Sequence, residues 1–160
     1  MKDKSKLKVY ISGPMTDKET GEVSTENIIA FVYANRLLKK EGYTLTVCPS
    51  RVWACRYKWF YRLLQKVFGK KWAYKLVLLY DIWLLMRCPL IYKIPGWRES
   101  KGASIESSVA YNLNIWTLPT KVRERIDRKL VKSMEKWKDK QIDKQGGGNT
   151  ELVSPATDCQ

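Results

Sequence analysis

Apolar and polar positions along the chain switch between a strand period and a helix period. Positions 8–11 ("KVYI") read as a buried strand that runs into "SGPMT", where Gly13 and Pro14 impose a turn. A helix is predicted over 26–40, capped by Ser24 or Thr25, with Ile28, Phe31, Val32 and Leu38 for its buried face and Gly42 beyond its end. "YTLTVC" is a second strand, stopped by Pro49. The following amphipathic segment predicts a helix in two pieces broken near Gly69, the second covering 72–86. "PLIYKI" reads as a third strand, "PGWRESKG" as a loop, 103–113 as a helix and "NIWTL" as a fourth strand.

Strands that alternate with helices in this way predict an α/β fold. The expected form is a Rossmann-like (flavodoxin-like) parallel sheet of about four to five strands with helices on both faces. Beyond Pro119, Val122, Ile126, Leu130, Met134 and Trp137 recur every three or four residues, giving one apolar stripe on a basic helix that should pack on the domain or on a second subunit. The expected organisation is a domain over 1–118 with a basic, aromatic helical insertion at about 51–75, an amphipathic helix over 119–145, and a disordered tail over 146–160.

Composition narrows the function classes. Thirty Lys and Arg against sixteen Asp and Glu leave a net charge of +14 and invite a nucleic-acid reading. The positive charge concentrates in "MKDKSKLK", "RVWACRYKWFYRLLQKVFGKKWAYK" and "KVRERIDRKLVKSMEKWKDKQIDK", outside "YISGPMT" and "SKGASIE", so it reads as a surface laid around a separate core. Aromatics interleaved with Lys and Arg at 53–83 suit single-stranded nucleic acid or an anionic membrane surface. The reading favoured here is core or oligomer contact, with basic side chains reaching outward. Four scattered Cys without a CxxC pair and no His predict no metal site and fit a reducing cytoplasm. The longest apolar run, at 76–86, is interrupted by Asp81 and is too short for a membrane span. "GKK" at 69–71 lacks the surroundings of a Walker motif, and no Gly-x-Gly-x-x-Gly occurs, so neither a triphosphatase nor a dinucleotide enzyme is expected.

In a parallel sheet, functional groups collect at the carboxyl ends of the strands, which brings together "SGPMT", the residues after "TVC", and "PGWRESKG". Glu106 is expected in the first turn of the helix after the third of these loops, where the N-terminal N–H groups favour an anion. Asp81 lies on the preceding helix, and two carboxylates near one cleft suit glycosidic bond chemistry. The residues alone leave a plainer reading open: a Glu at a helix start is commonly only a dipole partner, and Asp81 an exposed helix residue.

"VYISGPMT", Asp81 followed by "IWLLMRC", and "PGWRESKGASIESSVAYNL" together resemble a phage- and prophage-associated domain family of unknown function within the nucleoside 2-deoxyribosyltransferase-like superfamily. The resemblance covers roughly 8–118 and is carried by Tyr10, Gly13, Pro14, Asp81, Ser100, Gly102 and Glu106. It implies Glu106 as nucleophile on the anomeric carbon of a deoxyribose, Tyr10 as the group that orients it, and Asp81 as an aid to leaving-group departure or sugar placement. Gly13, Pro14, Met15, Trp97, Ser100 and Gly102 would then surround the substrate. Trp97 would either stack on the base or fill the gap between loop and sheet. In this superfamily the transferases acting on free nucleosides usually carry Asp where Ser100 stands, and the deoxynucleoside 5'-monophosphate N-glycosidases carry Ser, so Ser100 implies a nucleotide. The family usually has Asp after the Cys of the "LxxC" run, where this chain has Pro89.

The resemblance therefore implies a bacterial or phage-encoded enzyme that cleaves or exchanges the N-glycosidic bond of a deoxynucleoside or deoxynucleotide without a cofactor, to which the cysteine usage adds a cytoplasmic location and the aromatic segment and apolar stripe a homo-oligomer. The alternatives are a non-catalytic nucleotide-binding or sensing module of the same fold, and a basic protein associated with nucleic acid or membrane.

Overall fold

The computed structural model describes residues 3–17, 23–49 and 58–146. Four strands, β1 (Lys8–Ser12), β2 (Leu45–Val47), β3 (Leu90–Lys93) and β4 (Trp116–Thr117), form one sheet in the order β2-β1-β3-β4, and every pairing is parallel. The four principal helices are α1 (Thr25–Lys40), α2 (Lys58–Met86), α3 (Lys101–Asn112) and α4 (Thr120–Gly146).

The predicted α/β architecture is thus the observed one. Ser24 caps α1 by accepting from the Asn27 N–H, which satisfies one of the donors a helix start leaves without a partner. Gly42, at φ +95°, lets the chain leave α1 through the left-handed region that a side chain disfavours. α2 bends where expected: Gly69 takes φ 78° and ψ 161°, outside the helical region, and separates a basic first part from the part that reaches the sheet. The tail beyond residue 146 and the start of the insertion at 50–57 lie outside the described residues.

Strand alternation divides the core in two. Val9 and Ile11 of β1 and Tyr92 of β3 face α1 and α4, where they pack with Phe31, Leu38, Ile126 and Leu130. Tyr10 and Ile91 face the other way, against Leu85 of α2 and Ala110 of α3. The apolar stripe of α4 therefore covers one face of the sheet beside α1. Tyr92 Oη donates to Asp127 Oδ1 at 2.7 Å from beneath it, and Arg125 and Lys129 of α4 reach the Glu41 carboxylate. Burial of Ile126 and Leu130 dominates this contact, because ion pairs with exposed cations contribute little. No helix among the described residues is long and apolar enough to cross a membrane.

β1 leads to β2 on one side of itself and the chain then returns to place β3 on the other, so the strand order reverses between β1 and β3. In open parallel sheets the crevice at the carboxyl ends of such a pair is where ligands bind. Here that crevice lies beyond Ser12 and Lys93, which are paired in register.

Candidate functional site

The candidate groups come from β1, α2 and α3. Tyr10 and Ser12 are two residues apart on β1, so both side chains project to the α3 side of the sheet. Glu106 meets them there. Tyr10 Oη donates to Glu106 Oε1 at 2.7 Å and Ser12 Oγ donates to Glu106 Oε2 at 2.5 Å. Each carboxylate oxygen thus holds one hydroxyl donor, which fixes the plane of the group and leaves each oxygen further accepting capacity.

Glu106 differs from expectation in one respect. α3 begins at Lys101, capped by Ser100, so Glu106 occupies its second turn and no acidic residue stands in its first. The helix N-terminus is not what holds the carboxylate; the two strand hydroxyls do. The predicted helix start at 103 is two residues late, because Gly102 resembles part of the preceding loop.

Glu106 is only 6% exposed, yet it carries a charge-bearing group. Burial raises its carboxyl above the ordinary Glu range, and the hydrogen bonds from Ser12 and Tyr10 pull the other way without cancelling the rise. The Tyr10 phenol is held well above its own range by burial first and then by the charges of Glu106 and Asp81, so it stays protonated and remains a donor. Asp81, also 6% exposed, enters from α2 close enough to act electrostatically on Tyr10. The structure therefore brings together the three residues expected to carry chemistry, and adds Ser12. Ser12 was missed although it was legible: in "YIS" it stands at the next same-face position of the strand after Tyr10. Replacing its hydroxyl, in Ser12→Ala, is expected to move the Glu106 titration to higher pH, since the change removes a bond that favours the ionised form. Carbon-13 NMR of the Glu carboxyl signals checks it, and an unmoved titration would deny Ser12 that role.

The remaining expected site residues have distinct placements. Ser100 caps α3, its Oγ accepting from the Ala103 N–H at 3.3 Å, with its hydroxyl proton still available to a ligand. A Cβ on Gly102 would lie 3.4 Å from the Tyr74 hydroxyl of α2, so the space left by the missing side chain is bounded by that tyrosine. Gly13 has a packing reason: a Cβ there would come within 3.0 Å of Ile94 Cβ. Pro14 borders an open cleft of about 330 Å³ between α1 and α4, and Met15 packs against the core on that same side of the sheet.

Trp97 lies in a short 3-10 turn (Trp97–Glu99) and lines a second open cleft, of about 610 Å³, between α3 and the β3–β4 edge. Its ring carries the Lys93 ammonium at 4.3 Å, and Lys93 Nζ also donates to Ser107 Oγ at 3.1 Å. Burial, with Arg123 and Arg98 nearby, lowers the Lys93 pKa. Glu106 lines neither cleft. Among the described residues no group of three or more His, Cys, Asp or Glu is placed to hold a metal ion.

Residues 7–117 match a family defined only as a domain of unknown function, DUF4406, and this span takes in all four strands and every group of the Glu106 site. The chain belongs to the DUF4406 family. Comparison with curated proteins and with solved structures gave no match. The DUF4406 match ends before α4, so the helix that covers the Tyr92 face of the sheet lies outside the matched span while completing its core.

Proposed function

We propose that this DUF4406 domain cleaves or exchanges the N-glycosidic bond of a deoxynucleotide or deoxynucleoside, with Glu106 as the nucleophile. The observation that carries this reading is the buried Glu106 carboxylate gripped by Tyr10 and Ser12 at the strand-order reversal of a parallel sheet. The similarity of its motifs to the nucleoside 2-deoxyribosyltransferase-like superfamily supplies the reaction class. A desolvated carboxylate held in one orientation is suited to attack an electron-poor anomeric carbon, forming a glycosyl ester as the C–N bond breaks and the base leaves with the bonding pair. Tyr10 and Ser12 orient the attacking oxygens. Asp81 places the sugar or assists the departing base. Water or a second base then takes the sugar from Glu106.

Incubation of the full chain with a panel of deoxynucleosides and their 5'-monophosphates, with chromatography for free base, tests the reading; no release from any of them would overturn it. One observation favours a second reading. Both oxygens of Glu106 are engaged and the residue is almost wholly covered, which also suits a module that binds a nucleotide without turning it over. Saturable binding with no base release would select that reading.

Ser100 decides between substrate types. Asp is an equally good helix cap, so Ser100→Asp should keep α3 intact while placing a carboxylate where a phosphate would sit. The expected result is at least about a tenfold larger loss of kcat/KM for monophosphates than for free nucleosides, from like-charge repulsion in a partly desolvated crevice. Equal losses on both would remove the phosphate role.

A further inference from the structure

The second part of α2 is apolar on two opposite faces. Ala73, Asp81 and Leu85 turn inward to the sheet and α3 and are buried. On the outer side, Trp72, Leu76, Leu79, Trp83 and Met86 are all exposed, Trp72 and Leu79 by 61% each. Their spacing is four, three, four, three. That spacing lines all five up along one side of the helix, an arrangement that also suits a seam between two helices. A surface helix in a monomer has one apolar stripe; an apolar stripe on each side means that the outer one is covered by something.

We infer that the outer stripe of α2 is the contact with a second copy of this chain, the two α2 helices packing on each other across a two-fold axis near Leu79. Leu79 is the midpoint of the stripe, so either a parallel or an antiparallel two-fold pairing superimposes the stripe on its own copy and sets Leu79 against Leu79. With its five large side chains about half exposed, the stripe offers roughly 500 Å² per copy, and the pair roughly 1,000 Å², which reaches the lower bound for a specific interface. The cations beside the stripe fit an interface better than a lipid surface. Lys75 lies 4.6 Å from the Trp72 ring and Arg87 3.4 Å from the Trp83 ring, folded onto the aromatics rather than held outward toward anionic headgroups. The same helix presents Asp81 from its opposite side, so the contact braces an element of the Glu106 site.

Two chains of charge +14 repel each other, and salt screens that repulsion. Sedimentation velocity of the full chain over a range of micromolar concentrations should therefore show a dimer that strengthens as sodium chloride is raised. Leu79→Lys, at an exposed position that leaves the inner core untouched, should raise the dissociation constant at least about a hundredfold without changing the far-ultraviolet circular dichroism. Leu79→Cys should form a disulfide-linked dimer on oxidation to a greater extent than the parent chain with its own cysteines. A chain that stays monomeric at all concentrations and salts would overturn the proposal. So would a dimer that Leu79→Lys leaves intact, which would place the contact elsewhere. A monomer that sediments with phosphatidylglycerol vesicles, and is released by salt, would overturn it in favour of a membrane surface.

Discussion

Glu106→Gln will lose base release by at least about a thousandfold while gaining, or at least keeping, thermal stability. Activity falls because an amide has almost the shape of a carboxylate but is a far weaker nucleophile. Stability moves the other way for a reason visible in the site. Burial holds the Glu106 carboxyl above its unfolded value, so its contribution to folding is fully present below the unfolded pKa and is lost as pH rises through the folded one. Once it ionises, the desolvated carboxylate weakens the fold, and a neutral amide does not. The introduced amide can still accept from one hydroxyl through its carbonyl oxygen, and the other hydroxyl can turn to accept from its N–H. The Tm difference between variant and parent should therefore widen from acid toward neutral pH. Melting curves across that range, with chromatography for free base, check both halves. Base release within tenfold of the parent would remove Glu106 as nucleophile, and a variant whose advantage over the parent shrinks from acid to neutral pH would contradict the burial argument.

Ending the chain at Thr120 will leave a protein that aggregates or fails to fold. α4 lies outside the DUF4406 match, but it fully buries Ile126 and Leu130 and partly buries Val122 and Met134 against the sheet and α1. At roughly 1.5–3 kcal/mol for each fully buried aliphatic side chain, its removal takes away about 5 kcal/mol or more, a large share of the roughly 5–15 kcal/mol that holds a domain folded. The cut also uncovers Tyr92, otherwise fully buried, and removes Asp127, the acceptor of its hydroxyl. A milder variant, Leu130→Ala, should cost about 2–5 kcal/mol in urea denaturation without changing the assembly state. Size-exclusion chromatography and melting temperatures of the truncated and parent chains check the prediction. A soluble truncated chain with an unchanged melting temperature would show α4 to be an appendage and would reopen a role for its basic surface toward nucleic acid or membrane.

The pattern of the chain by itself determined the order and kind of the elements. Strand and helix periods differ enough to be read locally, and Ser24, Gly42 and Gly69 act on the backbone through their own chemistry wherever the rest of the chain lies. It also pointed to Glu106 and Asp81 as carboxylates near one cleft while leaving a plain structural reading open, and Tyr10 was added only by the resemblance of the motifs to a known superfamily. What only tertiary structure decided was which groups meet. Ser12 joins Tyr10 on Glu106 because the sheet sets β1 directly under α3. Trp97, next to the motif in sequence, turns to Lys93 and a separate cleft, and Pro14 and Met15 lie toward the α1 and α4 side of the sheet. The exposure of the outer α2 stripe was equally hidden, since an apolar repeat looks the same whether its partner is the chain's own core or another molecule. Hydrogen bonds, desolvation and burial all depend on distances between residues far apart in sequence, and a local pattern carries no information about those distances until the sheet order is set.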